Sequence, residues 1–205
     1  MSLENIYLNN SQIPKRYLNE IVLIPSKIDE KTFEELNNIK LNIKKFVDSG
    51  NNLLICSNNV GNGKTTWAIK LLKEYIKSIG NIKIKNNCPG LFINITNFLN
   101  EKKLAISDKE LQEKVIDIEH KILNSNLVIF DDLGVKDISQ YDMGNIYYWI
   151  DERTNNMRSC IFTSNLLPNQ LKKVLDERLY SRIVNYSVIK EVKDGDSRNV
   201  GVYKC

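Results

Sequence analysis

The chain has 205 residues, of which 42% are hydrophobic and 26% charged, and a formal net charge of +4. That balance belongs to a globular fold with its own core, the length suits one domain plus a short appendage, and the mild positive charge permits a nucleic-acid partner without demanding one. No apolar run approaches the ~20 residues of a membrane span, no basic-then-apolar leader opens Met1-Ser2-Leu3-Glu4-Asn5, and the scattered Cys56, Cys88, Cys160 and Cys205 with a single His120 offer neither a disulfide framework nor a zinc site.

Residues 1–50 read as an N-terminal segment and 51–205 as the core. Leu53-Leu54-Ile55-Cys56 is a short apolar run that ends in polar loop residues, as a buried strand does. Thr65 to Ile79 then places Ala68, Leu71, Leu72, Tyr75 and Ile79 on one helical face. Leu91-Phe92-Ile93-Asn94-Ile95 reads as a second strand, and Leu111, Val115, Ile118 and Ile122 predict a helix over Asp108 to Leu123. Leu127-Val128-Ile129-Phe130 is continuously apolar, as a strand covered on both faces would be. Met143, Ile146, Tyr147 and Ile150 mark another amphipathic helix, and Cys160-Ile161-Phe162-Thr163 a fourth strand. Leu171 to Val184 reads as helical and Tyr186-Ser187-Val188-Ile189 as a last strand. Cys56 and Cys160 fall inside strands as buried thiols, which suits a reducing cytoplasm. Strands separated by helices need crossover connections, and so predict an α/β three-layer sandwich on a mostly parallel five-stranded sheet. Ligands of such sheets bind beyond the carboxyl ends of the strands.

The residues after the first strand are Ser57-Asn58-Asn59-Val60-Gly61-Asn62-Gly63-Lys64-Thr65-Thr66. They fit a phosphate loop, G-x-x-x-x-G-K-[ST], with Asn58 at the first glycine position. Glycines let backbone N–H groups approach phosphate oxygens, and Asn is the residue after glycine that best tolerates positive φ. The loop runs into a helix N-terminus, which favours an anion. Residues 58–66 therefore form the candidate nucleotide cradle, with Lys64 as the cation for the β- and γ-phosphates and the Thr65 hydroxyl as an Mg²⁺ ligand.

The third strand runs into Asp131-Asp132, an acidic strand end of the Walker B kind. Asp131 is the second candidate Mg²⁺ ligand, and Asp132 can orient or deprotonate the attacking water. The fourth strand ends in Thr163-Ser164-Asn165, which places Asn165 to hold the lytic water or touch the γ-phosphate; a turn-forming triplet ahead of Pro168 is the structural alternative. Arg178 and Arg182 share a helical face, and either could act on a neighbouring subunit's γ-phosphate as a finger in trans or form a surface salt bridge.

In this order the motifs resemble those of AAA+ ATPases, and their wording is similar to the DnaC/DnaI/IstB branch. Ile13-Pro14-Lys15-Arg16-Tyr17 resembles the segment that closes over the adenine, Gly90-Leu91-Phe92-Ile93 the second strand, and Gly195-Asp196-Ser197-Arg198 a shortened form of the closing segment. The resemblance runs from about residue 12 onward. It implies ATP and Mg²⁺ as cofactors, ATP hydrolysis, and partners in a replicative DNA helicase, single-stranded DNA and further copies of the chain in the ATP state, with no membrane role. By motif position it implies Asn165 as sensor I, Arg182 as the arginine finger with Arg178 beside it, and Arg198 as a sensor-II-like contact. Loaders of this branch usually begin with a helicase-docking domain, for which the roughly fifty residues ahead of the first strand leave little room; the few after the last leave none for a helical lid. A transposase-accessory ATPase of the IstB type, or a non-hydrolysing ATP-binding protein acting on the replication machinery, are the alternative readings.

DNA contacts have a weaker signature. Cations must track phosphates, and aromatics often stack on bases. Lys102 and Lys103 with Phe98 nearby are the preferred candidates, and Lys83 and Lys85 the next; a solvated lysine-rich surface is the plain alternative. Tyr147, Tyr148 and Trp149 suit core or subunit packing, and His120 a helix surface.

Overall fold

A computed structural model describes residues 2–19, 22–84, 86–134 and 138–193. The elements in order are α1 (Leu3–Asn10), α2 (Glu30–Leu41), α3 (Ile43–Asp48), β1 (Asn52–Cys56), α4 (Lys64–Ile79), β2 (Gly90–Asn94), α5 (Ile95–Leu104), α6 (Lys109–Asn124), β3 (Leu127–Leu133), α7 (Gln140–Asn155), β4 (Ser159–Ser164), α8 (Pro168–Val174), α9 (Glu177–Tyr180) and β5 (Ser187–Glu191). The five strands form one sheet in the order β2-β3-β4-β1-β5, and every pair is parallel.

Side chains alternate across the sheet. Leu54, Cys56, Val128, Phe130, Cys160 and Phe162 enter the layer built by α5 to α9. Leu53, Ile55, Leu127, Ile129 and Ile161 enter the opposite layer with α4 and the N-terminal helices. Burial pushes the Cys56 thiol up to about 11, so it is an inert core group. Within the N-terminal residues, the buried Tyr7 hydroxyl donates to Ile82 O and accepts from Ile84 N. Ser11 O accepts from Phe92 N at 2.8 Å, occupying part of the free edge of β2. Among the described residues no helix is long and apolar enough to cross a membrane.

Besides shifts of one or two residues at other ends, three boundaries differ from the sequence reading in a way that matters to the site or core. Ile95 opens α5 instead of closing β2, because the Asn94 side chain accepts from Asn97 N and caps the helix. β3 continues past Phe130 through Asp131, Asp132 and Leu133, since Leu133 still pairs with Ser164 after a register shift. The helix expected over Leu171 to Val184 is broken. Leu175 is extended, Asp176 caps a new helix by accepting from Leu179 N at 2.8 Å, and residues Ser181–Asn185 form a π-helical turn.

Candidate nucleotide site

The carboxyl ends of β1, β3 and β4 meet at one rim of the sheet, and the predicted site residues other than the arginines gather there. Gly61 and Gly63 take φ of +75° and +90°, conformations that carry the chain from β1 into the first turn of α4. Ser57, which the sequence reading overlooked, organises the loop from inside. Its N–H donates to Ser164 O, and its hydroxyl accepts from Asn59 N at 2.9 Å and from the Asn62 amide at 2.6 Å. Asn62 also donates to Val192 O, and Asn59 to Lys193 O, so the loop is tied to the chain that follows β5. Lys64 is 7% exposed; its ammonium donates to Asn59 O at 2.7 Å and to Asn62 Oδ1 at 3.0 Å. Asn58 and Val60 are exposed on the outside of the loop.

The Thr65 hydroxyl donates to Asp131 Oδ1 at 2.8 Å. Thr163 donates to the same oxygen at 2.7 Å, and Asn94 Nδ2 lies 3.5 Å from Asp131 Oδ2. Asn165 Nδ2 donates to Asp132 Oδ1 at 2.9 Å. Burial, then the neighbouring Asp131 charge, push the Asp132 carboxyl above its ordinary value, with Lys64 opposing. A hydroxyl and a carboxylate in contact, beside a buried ammonium, are the hard oxygen donors and the cation that a magnesium–nucleotide pair requires. Thr65, Asp131, Asp132, Asn165 and Lys64 are thus brought together as the spacing predicts. Thr163 and Asn94 join them. The signal for Thr163 lay in its sharing the strand-end triplet with Asn165, and that for Asn94 in the polar interruption it makes in the apolar run Leu91–Ile95.

A cavity of about 260 Å³ opens beside Thr66 along the outer face of α4. Tyr17, Leu18 and Asn19 line one wall, and Lys70 and Lys73 the other. Lys73 holds that wall in place by donating to the carbonyls of Tyr17 and Leu18. Ile13 is buried in the core layer, Arg16 stacks over the Tyr17 ring, and Leu23 lies against Gly63.

The arginines stand apart from the phosphate loop. Arg182 pairs with Asp151 at 2.7 Å, and the Arg178 guanidinium lies 5.3 Å from the centre of the Tyr147 ring. Both partners belong to α7, one turn apart, so Arg182 forms its ion pair across helices instead of with Asp176 or Glu177 nearby. Tyr148 is half exposed and Trp149 is core. The candidate DNA lysines are placed differently from the expectation. Lys102 pairs with Glu119, donates to Asn145 Oδ1 at 3.1 Å and lies over the Trp149 ring, and Phe98 is buried beside that ring. These contacts make Lys102 and Phe98 packing groups. Lys103 pairs with the buried Asp142 at 2.8 Å while remaining half exposed. His120 is exposed on α6 and Lys83 is exposed. Lys85 and the Gly195-Asp196-Ser197-Arg198 segment lie outside the described residues.

The profile of the family described as "IstB-like ATP binding protein" matches residues 6–198. The fold is similar to the crystal structure of the DnaC helicase loader, with a TM-score of 0.69 and 24% identity over 88% of this chain and 100% of that one. It is similar to DnaI, with a TM-score of 0.66 and 20% identity over 88% and 94% of the two chains. It is also similar to a replication initiator DnaA bound to AMPPCP and single-stranded DNA, with a TM-score of 0.65 and 15% identity over 88% of this chain and 51% of that one. No curated protein matches the sequence.

Proposed function

The chain belongs to the IstB-like ATP binding protein family, and from that premise we propose that it is a cytoplasmic AAA+ ATPase that places a replicative helicase on single-stranded DNA. The observation that carries the catalytic part is one connected set of hydrogen bonds, Thr65 to Asp131, Asp131 to Thr163, Thr163 to Asp132 and Asp132 to Asn165, spanning α4, β3 and β4 beside the buried Lys64. In this reading residues 58–66 cradle the phosphates and Lys64 exchanges Asn59 O and Asn62 Oδ1 for phosphate oxygens. Thr65 and Asp131 would hold Mg²⁺, which neutralises charge developing on the phosphates. Asp132, made a stronger base by burial and the neighbouring Asp131 charge, accepts the proton of the attacking water, and Asn165 fixes the orientation of its carboxylate. The adenine lies against Tyr17, Leu18 and Asn19 in the cavity beside Thr66, so that the N-terminal segment 1–50 includes the covering stretch and 51–205 is the ATPase core. Arg182 serves a neighbouring subunit, which requires it to leave Asp151 in an ATP-bound assembly.

Helicase loading is supported by the likeness to the DnaC helicase loader and to DnaI. The match to an IstB-like family keeps open the second reading, an accessory ATPase of a transposase. ATP turnover measured with and without single-stranded DNA tests the enzyme, and Lys64→Ala lowers nucleotide affinity at least ~100-fold, since the cation is worth ~2.7 kcal/mol or more. Zero turnover in the wild type would leave only an ATP-binding protein. Co-purification with a replicative helicase in ATP tests the partner. Binding to a transposase instead would establish the second reading, and no association with the helicase in any nucleotide state would sink the first.

A further inference from the structure

In a regular strand two consecutive side chains point to opposite faces. Asp131 and Asp132 can serve one ligand together where β3 is interrupted between them. The pairing of β3 with β4 steps from Phe130↔Phe162 to Leu133↔Ser164, so Asp131 and Asp132 together stand opposite Thr163. This is a β-bulge, a device that re-aims side chains beside active sites. Asp132 adopts φ of +65° there, a left-handed conformation that a side-chain-bearing residue keeps where its surroundings enforce it. A bulge also takes an amide out of the ladder, and a buried amide needs another acceptor.

The Thr163 side chain supplies that acceptor. Its Oγ1 accepts from Asp132 N at 3.0 Å and donates to Asp131 Oδ1 at 2.7 Å, and the residue is 2% exposed. One hydroxyl thus uses its single donor on the carboxylate of one aspartate and a lone pair on the backbone of the next. The two residues after it continue the lacing. Ser164 Oγ donates to Leu133 O at 2.7 Å, and Asn165 reaches the Asp132 carboxylate.

We propose that Thr163 is a positioning residue whose hydroxyl holds the β3 bulge open, turning two consecutive carboxylates to one side, Asp131 toward Thr65 and Asp132 toward Asn165. The inference rests on the ATPase reading above and adds a residue to it. Valine has the same shape and neither hydrogen-bonding capacity, and serine keeps both.

The test compares Thr163→Val and Thr163→Ser in the full chain. In Thr163→Val, kcat falls at least about tenfold, as expected when a reacting group is misplaced, while affinity for ATP measured without Mg²⁺ stays within about threefold, because the phosphate loop is untouched. In the nucleotide-free protein, exchange of the Asp132 amide speeds up by about tenfold, the scale of one lost hydrogen bond. Exchange of the Ile161 amide, earlier in β4, does not change. Thr163→Ser restores both kcat and the protection of Asp132. The inference is overturned if Thr163→Val leaves the Asp132 amide protected, if the amide is freed with kcat unchanged, or if serine and valine lower kcat alike. A wild-type protein without turnover defeats the ATPase reading instead, and amide exchange in the two variants still decides whether the hydroxyl holds the bulge.

Discussion

Both ends of the same strands bury charge, and they do so in opposite ways. At the amino ends of β3 and β4, Arg153 is 0% exposed. Its guanidinium donates to the carbonyls of Ile122, Ser125, Asn126 and Ser159 and to Cys160 Sγ. Burial pulls its pKa down, yet its donors are spent on backbone that ties α6, β3, α7 and β4 together. At the carboxyl ends, Asp131 is buried and Asp132 half-buried, but they hang on a strained bulge and keep acceptor capacity beyond the bonds they make. A buried charge saturated by its own fold is a staple. A buried charge with lone pairs to spare, held by strain, is available to a ligand.

The largest effect belongs to the staple. Arg153→Leu lowers unfolding free energy by about 3–5 kcal/mol, as breaking a buried polar network does, measured by urea denaturation. Under conditions where the variant is folded, its nucleotide affinity matches the wild type. A cost near zero would show that the carbonyls find water, and the contrast between the two ends would dissolve.

Next is Asn165→Ala, at the other end. Turnover falls ~100-fold, about 2.7 kcal/mol of barrier, while thermal stability and nucleotide affinity stay close to wild type. If stability falls and turnover does not, the carboxyl end is a second staple. The Arg182–Asp151 pair is the intermediate case, since its side chains are 27% and 23% exposed. Asp151→Asn changes stability by about 1 kcal/mol at most, and hydrolysis runs at or above the wild-type rate because the arginine is released toward a neighbour. Slower hydrolysis would mean that the α7 partner orients the arginine in its working position.

Much of this contrast is legible in the sequence. Apolar runs located β1 to β4, since burial on both faces leaves little alternation to misread, whereas β5 at the sheet edge is only partly buried and is read from a shorter mixed run. The glycine and lysine spacing located the loop because a phosphate constrains backbone and charge together. The bulge left no such mark. Asp131-Asp132 reads the same in a straight strand, and the extra residue shows only in the register with β4. The end of the predicted long helix misled for a geometrical reason. Leu171, Leu175, Leu179 and Ile183 are all buried and recur every fourth residue. On a continuous helix each step of four overshoots a turn by about 40°, so a strict repeat of four drifts off the buried side. The break at Asp176 and the wider π turn after Tyr180 bring the side chains back to one core.

Lys102 and Lys103 sharpen the comparison at its weakest point. Adjacent lysines looked alike as DNA contacts, because composition does not reveal a partner on another helix. Lys102 spends its charge on Glu119 and the Trp149 ring, with a side chain 16% exposed, and so resembles Arg153 in miniature. Lys103 is 53% exposed and leaves room for a further anion. Lys102→Met therefore leaves single-stranded DNA affinity and its salt dependence unchanged, whereas a phosphate-contacting lysine would lower the salt slope by about one. Lys103 carries a smaller, pH-dependent effect. Burial pushes the Asp142 carboxyl up, but Lys103 and the Ser139 hydroxyl outweigh it and hold Asp142 below its ordinary value. A depressed folded pKa stabilises above the unfolded carboxylate range and is lost as pH falls through the folded value. Lys103→Ala thus leaves stability at pH 7 lower by no more than about 1 kcal/mol, and flattens the acid limb, the melting-temperature gap to the wild type narrowing as pH falls from 7 to 3. An unchanged acid limb would mean that Ser139 alone depresses Asp142, and would leave Lys103 the freer of the two cations to meet DNA.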